Sequence, residues 1–154
     1  MSNVKVVEPI EGLAFLSLRT MDGNMVDIPL SYTQDITGPF IKEFKLYLTG
    51  SKNDGHMVLA VSGEEGKFLV ISDDEKSYVI NEDTAELTVC SAAAKEIIKA
   101  CIRNFVDYLD TWANFDIKDE PGNSISYTRD FADRKGLIES AEDEINPYLM
   151  GPKI

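Results

Sequence analysis

The chain has 154 residues, of which 44% are apolar and 27% are charged, and its 27 acidic and 15 basic side chains give a formal net charge of −12. This length and apolar content suit one globular domain over residues 1–154, so they exclude an intrinsically disordered chain and a small scaffold held together by disulfides. The negative charge repels phosphate backbones and anionic lipid headgroups, which argues against nucleic acid and membrane as direct ligands.

Two features of the sequence predict a cytoplasmic protein. The N-terminal segment MSNVKVVEPIEG lacks the apolar run of an exported chain, and no segment approaches the roughly 18 consecutive apolar residues of a membrane-spanning helix. The two cysteines, Cys90 and Cys101, fall on a predicted strand and a predicted helix. A disulfide between them is one alternative, but buried thiols in a reducing compartment are more common, and we predict core thiols.

The N-terminal third predicts a β-hairpin over residues 12–30, followed by a short helix. The apolar run LAFLSL and the alternating run MVDIPL flank Asp22-Gly23, a dipeptide that favours the positive φ of a tight turn. Pro29 has no N–H to donate to a neighbouring strand, which predicts that the second strand lies at a sheet edge or ends there. Apolar residues then recur at helical spacing over residues 39–49.

The middle of the chain predicts a four-strand antiparallel meander over residues 56–90. Four short β-rich runs, HMVLAVS, KFLVIS, SYVIN and LTVC, alternate with acidic, turn-prone sequences. The run FLVI is apolar at every position, which predicts a strand covered on both faces. We expect the acidic side chains of the turns to gather at the strand ends and to concentrate the negative charge on one rim of the fold.

The meander leads directly into a long amphipathic helix that is predicted for residues 91–113. Ser91 is the predicted N-cap, and the apolar residues from Ala94 to Trp112 form one continuous stripe at the helical period. This stripe predicts a helix that covers one face of its own sheet, with Trp112 closing the core. The indole N–H of Trp112 is expected to need a hydrogen-bond partner.

A last helix is predicted at about residues 128–145, with Gly136 as a candidate break and Pro147 beyond its end. Its apolar residues lie on one side, so we expect it to pack beside the long helix. The predicted fold is therefore of the α+β class: a central antiparallel meander sheet with a long amphipathic helix and flanking helices packed on one face.

No catalytic constellation is recognisable in the sequence. His56 is the only histidine, and it lies at the start of a predicted strand after a turn, where an exposed or edge position is common. The motifs HExxH, CxxC and GxSxG and glycine-rich phosphate-binding loops do not occur. The loop DIKDEPGNS lacks the alternating oxygen ligands of a calcium site, so neither a metal nor a cofactor is predicted. These patterns favour a non-enzymatic protein.

A positively charged protein is the partner that complements this chain, since opposite fields speed encounter and fix orientation. The predicted contact region consists of acidic side chains in the turns and in the loop after the long helix: Glu64, Glu65, Asp73, Asp74, Glu75, Glu82, Asp83, Asp116, Asp119 and Glu120. Solubility alone is the competing explanation, because many cytosolic domains are acidic. We expect a monomer or a weak dimer.

From MVLAVSGEEGKFLVISDDEKSYVIN through LTVCSAAAKEIIKACIRNFVDYL, roughly residues 56–112, the chain resembles the C-terminal half of the SUKH superfamily. The shared pattern is a pair of strands joined by a glycine-containing turn, a last strand that ends in a small polar residue, and an amphipathic helix. Members usually open with a helix and a Leu-Pro turn, whereas this chain opens with a predicted hairpin. The resemblance implies an immunity protein, an antitoxin that binds and blocks a basic toxin such as a nuclease.

Two other functions stay open at this point. A secretion chaperone that holds an exported partner is also small, acidic and α+β, and it would be identified by an exposed apolar patch and a stable dimer. A small-ligand-binding or enzymatic domain centred on His56 would require a deep, partly apolar pocket that contains both His56 and Trp112.

Overall fold

The computed structural model describes residues 3–10, 13–31, 36–52, 54–63, 66–113 and 124–149. The elements in these ranges follow one another in the order β1 (Val4–Ile10), β2 (Leu13–Arg19), β3 (Met25–Ser31), α1 (Thr37–Leu48), β4 (Met57–Gly63), β5 (Gly66–Ser72), β6 (Ser77–Asn81), β7 (Glu86–Cys90), α2 (Ala94–Asp107), α3 (Leu109–Ala113) and α4 (Ser124–Leu149). Antiparallel sheets and separate helices make this an α+β fold, which confirms the predicted class.

The strands form two antiparallel sheets, of which the predicted meander is one. β1, β2 and β3 form a three-stranded sheet in that order, and β4, β5, β6 and β7 form a four-stranded sheet in that order. The two sheets meet where Thr20, directly after β2, bridges Cys90 at the end of β7. At the same place the Ser91 N–H donates to the Arg19 carbonyl at 2.8 Å.

The predicted N-terminal hairpin is present as β2 and β3, but β1 precedes it, and the sequence pattern did not predict this strand. Val4 to Val7 pair with β2 in regular register, and the register shifts between Val7 and Ile10. Pro9 lies in this irregular part, where a strand tolerates a residue without an N–H. Pro29 likewise lies on β3, which is the other edge of the sheet, as predicted.

One apolar core connects both sheets and the helices. Fully buried side chains reach it from β2, β4, α1, α2 and α4, for example Leu16, Leu59, Phe44, Ile98 and Ile138. α4 packs against α1, α2 and α3, which confirms its predicted place beside the long helix. Because these elements share one core, burial of apolar surface is the main force that holds the sheets and helices together.

The predicted long helix is two helices in the structure. Tyr108 separates α2 from α3, since its φ of −119° and ψ of 45° leave the helical region. The N-cap of α2 is Ala93 rather than Ser91, and the Glu96 carboxylate accepts the Ala93 N–H at 3.2 Å. The N–H of Ser91 donates to the Arg19 carbonyl of β2, so Ser91 still pairs with the neighbouring sheet, and the helix begins after it.

A buried network of hydrogen bonds fixes the segment that leads from β7 into α2. The Ser77 hydroxyl donates to the Ala92 carbonyl at 2.6 Å and lies 2.7 Å from the Ser72 hydroxyl, and both serines are fully buried. The Asp73 carbonyl accepts the N–H of Ala94, the first residue of α2, at 2.8 Å. These bonds satisfy buried polar groups and tie the start of α2 to β5 and β6.

α4 is longer than predicted, since it runs from Ser124 to Leu149 and includes both Gly136 and Pro147. An isolated glycine costs a helix only about 1 kcal/mol relative to alanine, and packing against other helices offsets such a cost. Pro147 lies in the last turn, near the end of the helix. The predicted apolar side of the helix is buried at Ile138, Ala141 and Ile145.

Both cysteines are buried free thiols, as predicted. Burial raises the pKa of Cys90 to about 11 and that of Cys101 to about 12. Because the thiolate is the reactive form, we expect neither cysteine of the folded chain to react with iodoacetamide at neutral pH, whereas both react in denaturant. Mass spectrometry after a short labelling pulse measures this, and rapid labelling of either thiol in the folded chain would contradict its burial.

Candidate interaction surface

The predicted acidic contact residues that the structure describes form two groups at opposite ends of the β4–β7 sheet rather than one rim. Antiparallel strands reverse direction at every turn, so the β5–β6 turn lies at one end and the β6–β7 turn at the other. Asp73, Asp74 and Glu75 lie in the first of these turns, and Glu82 and Asp83 lie in the second. β5 has 7 residues, which separates the two ends by about 20 Å.

At the first end, Asp73 shapes the β5–β6 turn. Its carboxylate accepts the N–H of Glu75 at 2.8 Å and the N–H of Lys76 at 2.9 Å, and these two bonds lower the pKa of Asp73 below its ordinary value. Asp74 accepts a hydrogen bond from the Tyr47 hydroxyl on α1. Burial, together with this bond, raises the pKa of Tyr47. Glu75 is exposed to solvent at the tip of the turn.

At the second end, Asp83 ties the β6–β7 turn to β5. Its carboxylate accepts the Lys67 N–H at 3.1 Å, and the Glu82 N–H donates to the Lys67 carbonyl at 2.9 Å. The Glu82 side chain is exposed. The remaining predicted contact residues lie outside the described residues: Glu64, Glu65, Asp116, Asp119 and Glu120.

Between the two acidic ends, the face of the sheet that points away from the core is apolar. Side chains alternate along each strand, and the core face holds the buried residues Leu59, Val70 and Val79. The opposite face carries two rows of apolar side chains in register across the four strands. One row is Val58, Ile71, Tyr78 and Val89, and the other is Ala60, Leu69, Ile80 and Leu87. We call these eight residues the outer face.

The outer face is accessible to solvent to different degrees. Leu87 is 59% exposed, Ala60 is also exposed, and the other six residues are half-buried. Within the described ranges, none of the eight belongs to the core or packs against it, whereas Phe68, on the opposite face of β5, does. The predicted covering of β5 on both faces is therefore wrong for Leu69 and Ile71, because the helices that share the core with this sheet lie on its other face.

A signal for the outer face is nevertheless present in the sequence. β5 has apolar residues at both alternating positions, with Leu69 and Ile71 beside Val70, and the other three strands also place apolar residues outward. A strand with one solvated face normally alternates with polar residues. Taken alone, one such strand predicts burial on both faces. The outer face becomes recognisable only when the four strands are aligned in register.

Lysines lie near both ends of the outer face, but carboxylates outnumber them. The Lys76 ammonium lies 5.5 Å from the centroid of the Tyr78 ring, which is a cation–π distance. Lys67 lies at the other end, beside Glu82 and Asp83. Counting described residues alone, each of the two turns therefore leaves its end of the sheet negatively charged.

The alternative site centred on His56 and Trp112 does not form a shared pocket. Trp112 is fully buried, its indole N–H donates to the Asn104 side chain at 2.8 Å, and its ring meets that of Phe105 edge-on at 4.8 Å. Trp112 is therefore a core residue with a bonded N–H, as predicted. His56 is partly exposed before β4, where its backbone N–H donates to the Asp54 carboxylate at 3.1 Å.

A groove of about 560 Å³ lies between β1 and α2. Its charged lining on α2 consists of two cations between two carboxylates, in the order Glu96, Lys99, Arg103 and Asp107. Its described lining contains no serine, cysteine or histidine, so it does not supply the nucleophile and base of a hydrolytic triad. Among the residues that the structure describes, no three His, Cys, Asp or Glu side chains are grouped as a metal site requires.

Comparisons with protein-family models, with curated proteins and with solved structures find no match to this chain. The resemblance of residues 56–112 to the SUKH superfamily therefore stays a prediction. Of the helices in the described ranges, none combines the length and the apolar character that a membrane crossing needs.

Proposed function

We propose that this chain is a non-enzymatic acidic binding protein, and specifically an immunity protein that blocks a basic toxin. The observation that carries the proposal is the excess of carboxylates at both ends of the β4–β7 sheet, in a chain with a net charge of −12. A toxin that grips nucleic acid has a cationic surface. Carboxylates presented at two separate places complement such a surface and orient the complex.

The carboxylates at each end are of two kinds. Asp73 and Asp83 accept backbone N–H bonds, so their charges have defined positions and their side chains lose little entropy on binding. Glu75 and Glu82 are exposed, and neither forms an ion pair with another described residue. Their side chains are therefore available to the cations of a partner.

A secretion chaperone is the second candidate, and the outer face is the observation that favours it. Such a protein holds its exported partner on apolar surface, which the exposed outer-face residues offer. The two candidates differ in the force that drives binding. Apolar burial tolerates salt, whereas attraction between exposed charges is screened by it.

Binding to a basic partner is expected to weaken steeply with salt. The candidate partner is the protein encoded beside this chain in its source genome, and co-expression should give a one-to-one complex if that protein is basic. Glu75→Gln with Glu82→Gln is expected to raise the Kd about tenfold at low salt, because it removes free charge from both ends of the sheet. Isothermal titration calorimetry over a series of salt concentrations measures both effects.

The matched control is Glu139→Gln with Glu142→Gln, which removes the same charge from α4, the helix that packs against α1, α2 and α3. It is expected to leave the Kd nearly unchanged. Equal effects of the two double variants, or an affinity indifferent to salt, would count against the immunity protein and in favour of the chaperone.

A further inference from the structure

We propose that the outer face is the centre of the binding surface, and that its occupant is a segment of the basic partner with apolar side chains between two groups of lysine or arginine residues. The inference rests on the proposed function, since it specifies where and how the basic partner is bound. It differs from the sequence-based prediction, which placed the contact on the acidic side chains alone.

The outer face supplies a continuous apolar surface. Residues opposite each other on neighbouring antiparallel strands have Cβ atoms about 5 Å apart, so the two rows form one patch rather than scattered side chains. The patch continues beyond β7 towards Met21, which is 64% exposed and whose N–H donates to the Val89 carbonyl at 3.1 Å. A contiguous apolar patch on a protein surface is a common feature of interaction sites.

The acidic turns determine the charge and the length of the occupant. Asp73 and Glu75 lie at one end of the patch, and Glu82 and Asp83 lie at the other, about 20 Å away along β5. A complementary segment places its cations at a similar separation on both sides of its apolar residues. A helix of about 13 residues spans this distance.

A second copy of this chain is the competing occupant, and its charge disfavours it. In the aligned arrangement, two sheets packed face to face keep their strands within about 30° of each other. Whichever way the strands run, the acidic turns of the two copies then lie over each other, because both ends of each sheet are negative. Juxtaposed like charges oppose such a dimer.

A synthetic helical peptide tests the inference without the natural partner. The probe carries leucines along one face and two lysines at each end. One control peptide has glutamine in place of the leucines, and the other has glutamate in place of the lysines. Fluorescence anisotropy is expected to show that the probe binds at least about tenfold more tightly than either control, because only the probe matches both the apolar face and the acidic ends.

Variants of the chain then locate the peptide. Leu69→Thr with Ile80→Thr makes the outer face more polar without changing charge, and threonine is itself a residue that strands favour. We expect at least about a tenfold loss of affinity for the probe. Tyr148→Gln is the control, since it removes another exposed apolar side chain, which lies on α4. Circular dichroism establishes that each variant is folded.

Each alternative outcome has a distinct meaning. Equal affinity of the probe and its controls, or no loss in the Leu69→Thr/Ile80→Thr variant, overturns the inference. If the Leu69→Thr/Ile80→Thr variant keeps its affinity for the probe but the Glu75→Gln/Glu82→Gln variant loses affinity for it, the proposed acidic binding function stands. If binding of the probe requires the outer face but is unchanged in the Glu75→Gln/Glu82→Gln variant, both proposals are overturned in favour of the chaperone. A dimer that the outer-face variant dissociates overturns the inference in favour of a second copy.

Discussion

Replacing Trp112 with alanine is expected to lower the free energy of unfolding by about 3–5 kcal/mol. Trp112 is fully buried and packs edge-on against Phe105, so its removal leaves a large cavity in the core. It also removes the donor to the Asn104 side-chain oxygen, while the amide of the same side chain donates to the Val6 carbonyl at 3.2 Å. The loss therefore weakens a link that joins α3, α2 and β1.

The measurement is chemical denaturation followed by circular dichroism, because Trp112 is the only tryptophan and its fluorescence is lost with it. Trp112→Phe is the control, since it keeps an aromatic ring beside Phe105 and removes the N–H donor. We expect this variant to lose about 1–2 kcal/mol, which is the cost of one hydrogen bond and a small cavity. An alanine variant within about 1 kcal/mol of the wild-type chain would contradict the core position of Trp112.

Hydrophobic periodicity predicted most elements because burial on one face determines both the pattern and the packing. The strands of the meander and the hairpin of β2 and β3 were predicted on this basis. β1 was not, since Lys5, Glu8 and Pro9 obscure its alternation. The break at Tyr108 was not predictable either, because the apolar stripe continues through Leu109 and Trp112 and gives no sign of it.

The candidate surface was predicted only in part because it depends on topology as well as composition. The sequence shows that the turns are acidic, but the reversal of the chain at each turn decides that Glu75 and Glu82 lie at opposite ends. The Asp73 and Asp83 carboxylates accept backbone N–H bonds because of the geometry of their turns, and composition does not encode that geometry. The apolar outer face emerges from the register of all four strands.

Val79 and Ile80 provide a matched pair for testing whether the outer face is open. They are neighbours on β6, so their side chains point to opposite faces of the same sheet. Val79 is 2% exposed and belongs to the core, whereas Ile80 is half-buried and does not pack against the core. A lysine at Val79 would bury an unpaired charge, and a lysine at Ile80 would reach solvent near the acidic turn that contains Glu82.

The most direct measurement is the free energy of unfolding of Val79→Lys and Ile80→Lys, obtained by urea denaturation of the full chain. We expect Val79→Lys to lose about 3–5 kcal/mol or fail to fold, because the buried polar residues that the structure describes include no carboxylate to pair with the ammonium. Ile80→Lys is expected to lose less than about 1 kcal/mol, mainly through lower strand propensity. Equal and large losses in both variants would contradict an open outer face, and with it the proposed binding surface.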